Sequence, residues 1–445
     1  MQTLDIGPII DEARWSGYQK LLIFATALTI ILDGVDNQLL AAAIPSLISE
    51  WGVVRADFAF VLASGLIGMM IGGAAAGMIG DRFGRRVALL GSVFIFGILT
   101  IAVSFVDGLR EMAVLRFLAG LGLGGAMPNG TALASEYVPR RHRTFAVTFT
   151  LVCIPLGGAL AGVLGAYILP AWGWRMLFRA GGALPVALGT ILIWALPESP
   201  RYLAKQRARW PELARLLRRL GHQVPEEAAF TDPAETTARS SFRQLLVPEF
   251  PRDTVALCAS FFFCLLAAYS GVNWLPAMLS AAGFGGGFPS EGLLAFNLGG
   301  VAGAILAALV VRRLGSRPTM LAMCAGAVIG GIFIAASPLS GKPAAIVLGL
   351  LCWTGGWINA TQTLMYALAA HVYPASIRAT GVGTAVAFGR IGGVLSSYGG
   401  SFALGLSSAG SGLFVLLAVM MSLVLVALAV VERHIPATHR SSGRS

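Results

Sequence analysis

Apolar stretches of bilayer length recur along the whole chain. They lie near residues 21–43, 57–79, 87–106, 111–133, 145–168 and 175–196, and again near 254–279, 290–311, 318–337, 343–370, 379–405 and 410–431. Each is close to the roughly 20 residues a helix needs to cross the hydrocarbon core of a bilayer. A backbone in lipid must satisfy its own N–H and C=O groups, so uninterrupted runs of this length are expected to be helices. Only 12% of the residues are charged, about half the share in a soluble chain, which excludes a soluble globular protein. The expected fold class is an all-α membrane protein with twelve transmembrane helices. A polar segment rich in Arg, Pro and Glu interrupts the series after the sixth stretch, so the helices divide into two six-helix bundles. The expected domains are an amino-terminal bundle over 1–196, a cytoplasmic linker over 197–253, a carboxy-terminal bundle over 254–432 and a cytoplasmic tail over 433–445.

The net charge of +11 follows topology. One side of the membrane receives Arg14, Lys20, Arg82, Arg85, Arg86, Arg140, Arg141, Arg143, most arginines of the central segment, Arg312, Arg313, Arg317, Arg378, Arg433, Arg440 and Arg444. The other side has Arg55, Arg110, Arg175, Arg179 and Lys342. Basic loops stay cytoplasmic, so both termini are expected in the cytoplasm of a bacterial inner membrane, reached without a cleaved signal sequence. No basic-aromatic array suited to nucleic acid is visible. Cys153, Cys258, Cys264, Cys324 and Cys352 fall within spans, without metal-type spacing, and read as buried thiols. With no metal cluster, nucleophile-base set or phosphate loop, the chain is not expected to be an enzyme or to carry a cofactor.

Charges inside the spans are few, and they locate the chemistry. Asp33 and Asp36 lie in the first span, three positions apart on one helix side. A carboxylate at the bilayer centre costs on the order of 3 kcal/mol, so it ordinarily serves a cavity, an ion or a proton. Arg390 sits midway along the eleventh span. Its planar, permanently charged fork matches a carboxylate, either a substrate's or that of an aspartate in the empty site. Arg116 lies just inside the fourth span, where it either snorkels or faces an acid. Tyr269, Asn273 and Trp274 in the seventh span suit a planar hydroxylated ligand, with Trp274 alternatively an interfacial anchor. Pro276 behind them would break or kink that helix. Asn129, Gln362 and Tyr366 are the remaining candidates for the cavity wall. In the central segment, residues 210–220 (WPELARLLRRL) suit an amphipathic helix, either on the membrane surface or on a solvated linker.

The halves echo each other. GMIGDRFGRRV (77–87) after the second span is matched by LVVRRLGSRPT (309–319) after the eighth, and SEYVPRRHRT (135–144) by AHVYPASIRAT (370–380). Such parallel repeats suit two bundles related by an axis along the membrane normal. The loop made by Gly77, Asp81, Arg82, Gly84, Arg85 and Arg86 resembles the signature loop of the major facilitator superfamily, as do RFLAGLGLGG (116–125) and PESPRYL (197–203). DGVD (33–36), GLGLGGAMPNGTALASEYVP (120–139), YSGVNWLP (269–276) and IRATGVGTAVAFGRIGG (377–393) resemble its aromatic acid:proton symporter branch.

This resemblance covers nearly the whole chain. It implies the major facilitator fold and symport of an aromatic carboxylate with protons by alternating access. The small aromatic acid and the lipid bilayer would be its partners, and the carrier a monomer. The resemblance also implies that Arg116 influences protonation of a first-span acid, and that Asp81 belongs to a cytoplasmic gate capping a helix of the other half. Glu136 and Arg140 are expected in the same network. Sugar or multidrug transport within the superfamily is the alternative, although IPLGG (154–158) lacks the antiporter pattern of the fifth span. A transporter-like receptor is a further one.

Overall fold

The structure is a computed structural model that describes residues 3–12, 15–222, 224–225, 228–231, 251–337, 339–374, 377–406 and 411–437. It opens with a short strand β1 (Thr3–Asp5) and helix α1 (Ile6–Asp11). The amino-terminal helices follow as α2 (Gly17–Trp51), α3 (Asp57–Phe83), α4 (Arg85–Val103), α5 (Leu109–Glu136) and α6 (Arg143–Ala195). The central segment contributes α7 (Pro200–Ala204), α8 (Trp210–Arg219) and strand β2 (Ala229–Thr231). The remaining helices are α9 (Pro251–Ala281), α10 (Phe288–Leu314), α11 (Ser316–Ala336), α12 (Ala344–Val372), α13 (Arg378–Gly405) and α14 (Ser411–Val430).

Nine helices among the described residues are long and apolar enough to cross a membrane. One of them, α6, turns at Gly173 (φ 72°) and makes two crossings. The more polar α5 and α13, 28 residues each, bring the crossing segments to twelve, as expected. Pro276 does not break α9, which runs unbroken from Pro251 to Ala281.

Glycine sets the helix spacing. With little hydrophobic drive between helices in lipid, close backbone approach replaces it. A Cβ at Gly68 on α3 would lie 3.1 Å from the Gly120 Cα of α5, and one at Gly72 would lie 2.6 Å from the Leu121 Cα. The second half repeats this design, since a Cβ at Gly303 on α10 would lie 2.5 Å from the Gly356 oxygen of α12. Thus α3–α5 and α10–α12 are equivalent pairs, as are α2–α6 and α9–α13. Between the halves, α6 meets α10, α3 meets α13 and α2 meets α9. The tight approaches of Gly162 to Leu294 and of Gly287 to Ala166 lie toward the side opposite the basic loops.

The central segment differs from both readings of its amphipathic helix. Leu213, Leu216 and Leu217 of α8 face neither lipid nor water. They are buried with Ile6 and Ile10 of α1, Leu203 and Phe230. Strand β1 pairs in parallel with β2, and Asp11 pairs with Arg143. The amino terminus thereby straps the central segment onto the first bundle. Residues 232–250 of the expected linker, residues 438–445 of the expected tail, and Arg14 lie outside the described residues.

The glycine contacts predict different costs at two positions. Gly72→Ala should destabilise the detergent-solubilised protein by about 1–3 kcal/mol, because backbone has to move. Gly91→Ala, whose Cβ meets nothing within 4 Å, should be neutral or stabilising by up to about 1 kcal/mol. Equal thermal midpoints for the two variants would contradict the close approach of α3 and α5.

Candidate functional site

Asp33 and Asp36 are both buried, at 6% and 0% exposure, but they answer to different partners. Three residues along a helix leave side chains about 60° apart, which is enough to separate them. Asp36 turns into its own half. It accepts a hydrogen bond from the Thr100 hydroxyl of α4 and pairs with Arg116 Nη1 of α5 at 3.2 Å. Arg116 also reaches the Asp36 carbonyl at 3.4 Å and lies 4.8 Å from the centre of the Phe178 ring. It is 5% exposed, so it does not snorkel; an acid inside the protein holds it there.

Asp33 looks toward the other half. Its Oδ1 is buried without a hydrogen-bond partner, and so is Nη1 of Arg390 on α13. Arg390 is near enough to act on Asp33 electrostatically, but the two form no ion pair within 4 Å. Tyr269 of α9 and Tyr366 of α12 stand near Arg390 as well. An acid and a guanidinium, each with unused hydrogen-bonding capacity, therefore oppose one another between the halves.

Beside them lies a small cavity near mid-helix, walled by both halves. Tyr269, Gln362 and Tyr366 line it as expected from sequence, together with Asn37, Gln38, Asn297 and Asn359, which sequence reasoning missed. Gln38 and Asn297 exchange hydrogen bonds of 3.2 and 2.8 Å, joining α2 to α10. The available signal was simple: primary amides inside otherwise apolar spans. Asn273 lines a smaller neighbouring cavity with Asn37 and Arg116.

Two expected wall residues are elsewhere. Asn129 donates to the carbonyls of Ala76 at 3.1 Å and Gly125 at 2.9 Å and accepts from Arg85 at 3.4 Å. It stitches α5 to α3 toward the basic end. Trp274 is fully buried, with its ring against Gly400 of α13, so it is neither an interfacial anchor nor part of the cavity wall.

The signature loop is organised within one half. Asp81, with its side chain 68% exposed, pairs with Arg85 one turn away at 2.5 Å; it does not cap a helix of the other half. Arg85 Nε lies 3.9 Å from Glu136, and Glu136 accepts from the Ser199 hydroxyl. Gly84 has φ 107°, and a Cβ there would collide with Glu198. Glu198 is the residue missed here. Its carboxylate accepts from the backbone N–H of Arg86 at the start of α4, at 2.9 Å, a favourable place for negative charge. The Arg82 carbonyl accepts from the Tyr202 hydroxyl at 3.1 Å. Gly77 has open space around it. Arg140 stands exposed on a short 3-10 turn instead of joining Glu136.

A twelve-span bundle with a buried, polar, two-sided cavity is a membrane transporter. Residues 26–397 match the Major Facilitator Superfamily, and the chain belongs to that family; it is not an enzyme. It is 34% identical to the gallate transporter of Pseudomonas putida over 404 residues, covering 91% of this chain and 89% of that protein. It is 33% identical to the 4-hydroxybenzoate transporter PcaK of Pseudomonas putida over 408 residues, covering 91% of this chain and 90% of that one. The fold is similar to that of the xylose transporter XylE from E. coli in a partially occluded inward open conformation, with a TM-score of 0.75 and 19% identity, covering 97% of this chain and 100% of that one.

The buried pair predicts a non-additive mutant cycle. Arg116→Ala should cost about 3–5 kcal/mol of stability by leaving the Asp36 carboxylate uncompensated. Adding Asp36→Asn should restore much of that loss, as read from thermal unfolding in detergent. Additive effects would show that the two side chains do not depend on each other.

Proposed function

We propose that this transporter is a symporter that imports a hydroxybenzoate-like aromatic carboxylate together with protons. The observation that carries this reading is the opposition of Asp33 and Arg390 between the halves, beside the central cavity, each with a buried polar atom lacking a partner. A substrate carboxylate takes the Arg390 fork, because planar bidentate pairing is the strong form of that contact. Asp33 then loses its counter-charge, and two anions would face one cation in a medium of low polarity. A proton on Asp33 removes the excess charge, so each anion travels with a proton. Asp36, held by Arg116 and Thr100, keeps the helix and its neighbours in place. Tyr269 and Tyr366 offer ring walls, and Gln362, Asn37 and Asn359 offer hydrogen bonds to ring hydroxyls. The names of the similar gallate and 4-hydroxybenzoate transporters support the substrate class.

In the same reading the halves divide at the boundaries given by sequence, 1–196 and 254–432, and rock about the cavity. Both termini lie in the cytoplasm of a bacterial inner membrane, and the carrier works as a monomer. Asp81, Arg85 and Glu136, with Glu198 added, form the cytoplasmic gate. Its Asp81 pairs inside one half while the two halves meet on the far side, an arrangement suited to an inward-facing state.

Proteoliposomes test this. Radiolabelled 4-hydroxybenzoate or gallate should accumulate under an inward proton gradient and stop accumulating when a protonophore is added. Arg390→Lys should raise the KM about tenfold by removing the fork. Accumulation that survives the protonophore overturns the coupling, and uptake of a sugar but no benzoate overturns the substrate class.

A further inference from the structure

A second pocket opens at the basic end of the amino-terminal half. Its wall is formed by Tyr18 at the start of α2, Trp194 at the end of α6, Arg86 of α4, and Arg215 and Arg219 of α8. Three guanidinium groups therefore meet in one concavity. The acid in the wall, Glu212, is already forked by Arg209 at 2.9 and 3.0 Å, so it does not neutralise them. Arg86 gives one nitrogen to the Ile193 carbonyl, but its Nε is buried without a partner. Arg215 reaches only a 3.4 Å contact with a carbonyl of its own helix.

We propose that this pocket binds the phosphate of an anionic phospholipid headgroup from the leaflet on the basic side. Guanidinium forks match phosphate oxygens, and basic pockets beside transmembrane helices are suited to lipid headgroups. A lipid is favoured over free phosphate by the position of the mouth. It lies where α6 leaves the membrane, beside Trp194, which is 79% exposed; tryptophan settles at headgroup level. Ile191, one turn back, is exposed along the same helix, as an acyl-chain contact requires. A bound headgroup would bridge α8 to α2, α4 and α6, fastening the central segment to the first bundle from the lipid side.

The test uses the full chain in neutral detergent, with binding read by native mass spectrometry and thermal shift. Phosphatidylglycerol should bind and raise the thermal midpoint, whereas phosphatidylcholine should do neither. Arg215→Gln combined with Arg219→Gln should weaken phosphatidylglycerol binding about thirty-fold, as expected for two charges lost from an anionic-lipid contact. The lipid-free midpoint should stay unchanged, because both side chains are exposed. Arg215→Gln alone should give an intermediate loss, which provides a readout if the double variant is poorly produced. Equal binding of the two lipids, or wild-type affinity in both variants, overturns the site. Equal stabilisation by inorganic phosphate at matched concentration overturns the lipid assignment.

Discussion

The ion pair between Asp36 and Arg116 is the constraint on which the rest of the site depends. Charges this deep persist only when paired and hydrogen-bonded, and Asp36 has both, through Arg116 at 3.2 Å and Thr100. The pair ties α2 to α4 and α5 and thereby fixes the rotation of α2 about its axis. Once that rotation is set, Asp33 has to point about 60° away, toward the second half, where Arg390 is the opposing charge. One acid is consumed by structure, and the other is the one to which the proposed function assigns the exchangeable proton.

The surrounding architecture keeps this opposition adjustable. Within each half, glycine contacts hold equivalent helix pairs at backbone distance, so each half resists deformation. Between the halves, the Gln38–Asn297 amide exchange joins α2 to α10. Neutral amides are less costly to separate than ions, which suits a contact that has to open in the proposed cycle. Ion pairs at the basic end lie inside a half, Arg143–Asp11 in the first and Arg252–Glu432 in the second, and the central segment is strapped to the first half by β1 and α1. The carboxy-terminal half can then move relative to a cap that belongs to its neighbour.

The spans were legible because lipid imposes length and apolarity on every crossing, and Asp33, Asp36, Arg116 and Arg390 because charge at that depth needs a reason. Tyr269, Gln362 and Tyr366 were legible as polar groups among apolar ones. The same signal was present at Asn37, Gln38, Asn297 and Asn359 and was passed over. Other features depend on neighbours distant in sequence. Asn129 has the right polarity for a cavity, but its partners, Ala76 and Arg85, lie on α3 and α4. Trp274 could only be seen as internal once Gly400 was placed beside it. The apolar stripe of α8 announced burial without saying against what, and its cover is the amino-terminal segment more than 190 residues earlier. Asp81 was expected across the interface; a basic residue one turn away satisfies it locally.

Proton uptake by the purified protein on substrate binding tests the central claim most directly. In lightly buffered detergent solution at alkaline pH, adding 4-hydroxybenzoate should draw protons from solution in the wild type. The signal should vanish in Asp33→Asn, even though that variant still binds the anion at Arg390. Undiminished proton uptake in Asp33→Asn would contradict the assignment of the exchangeable proton to the acid that faces Arg390.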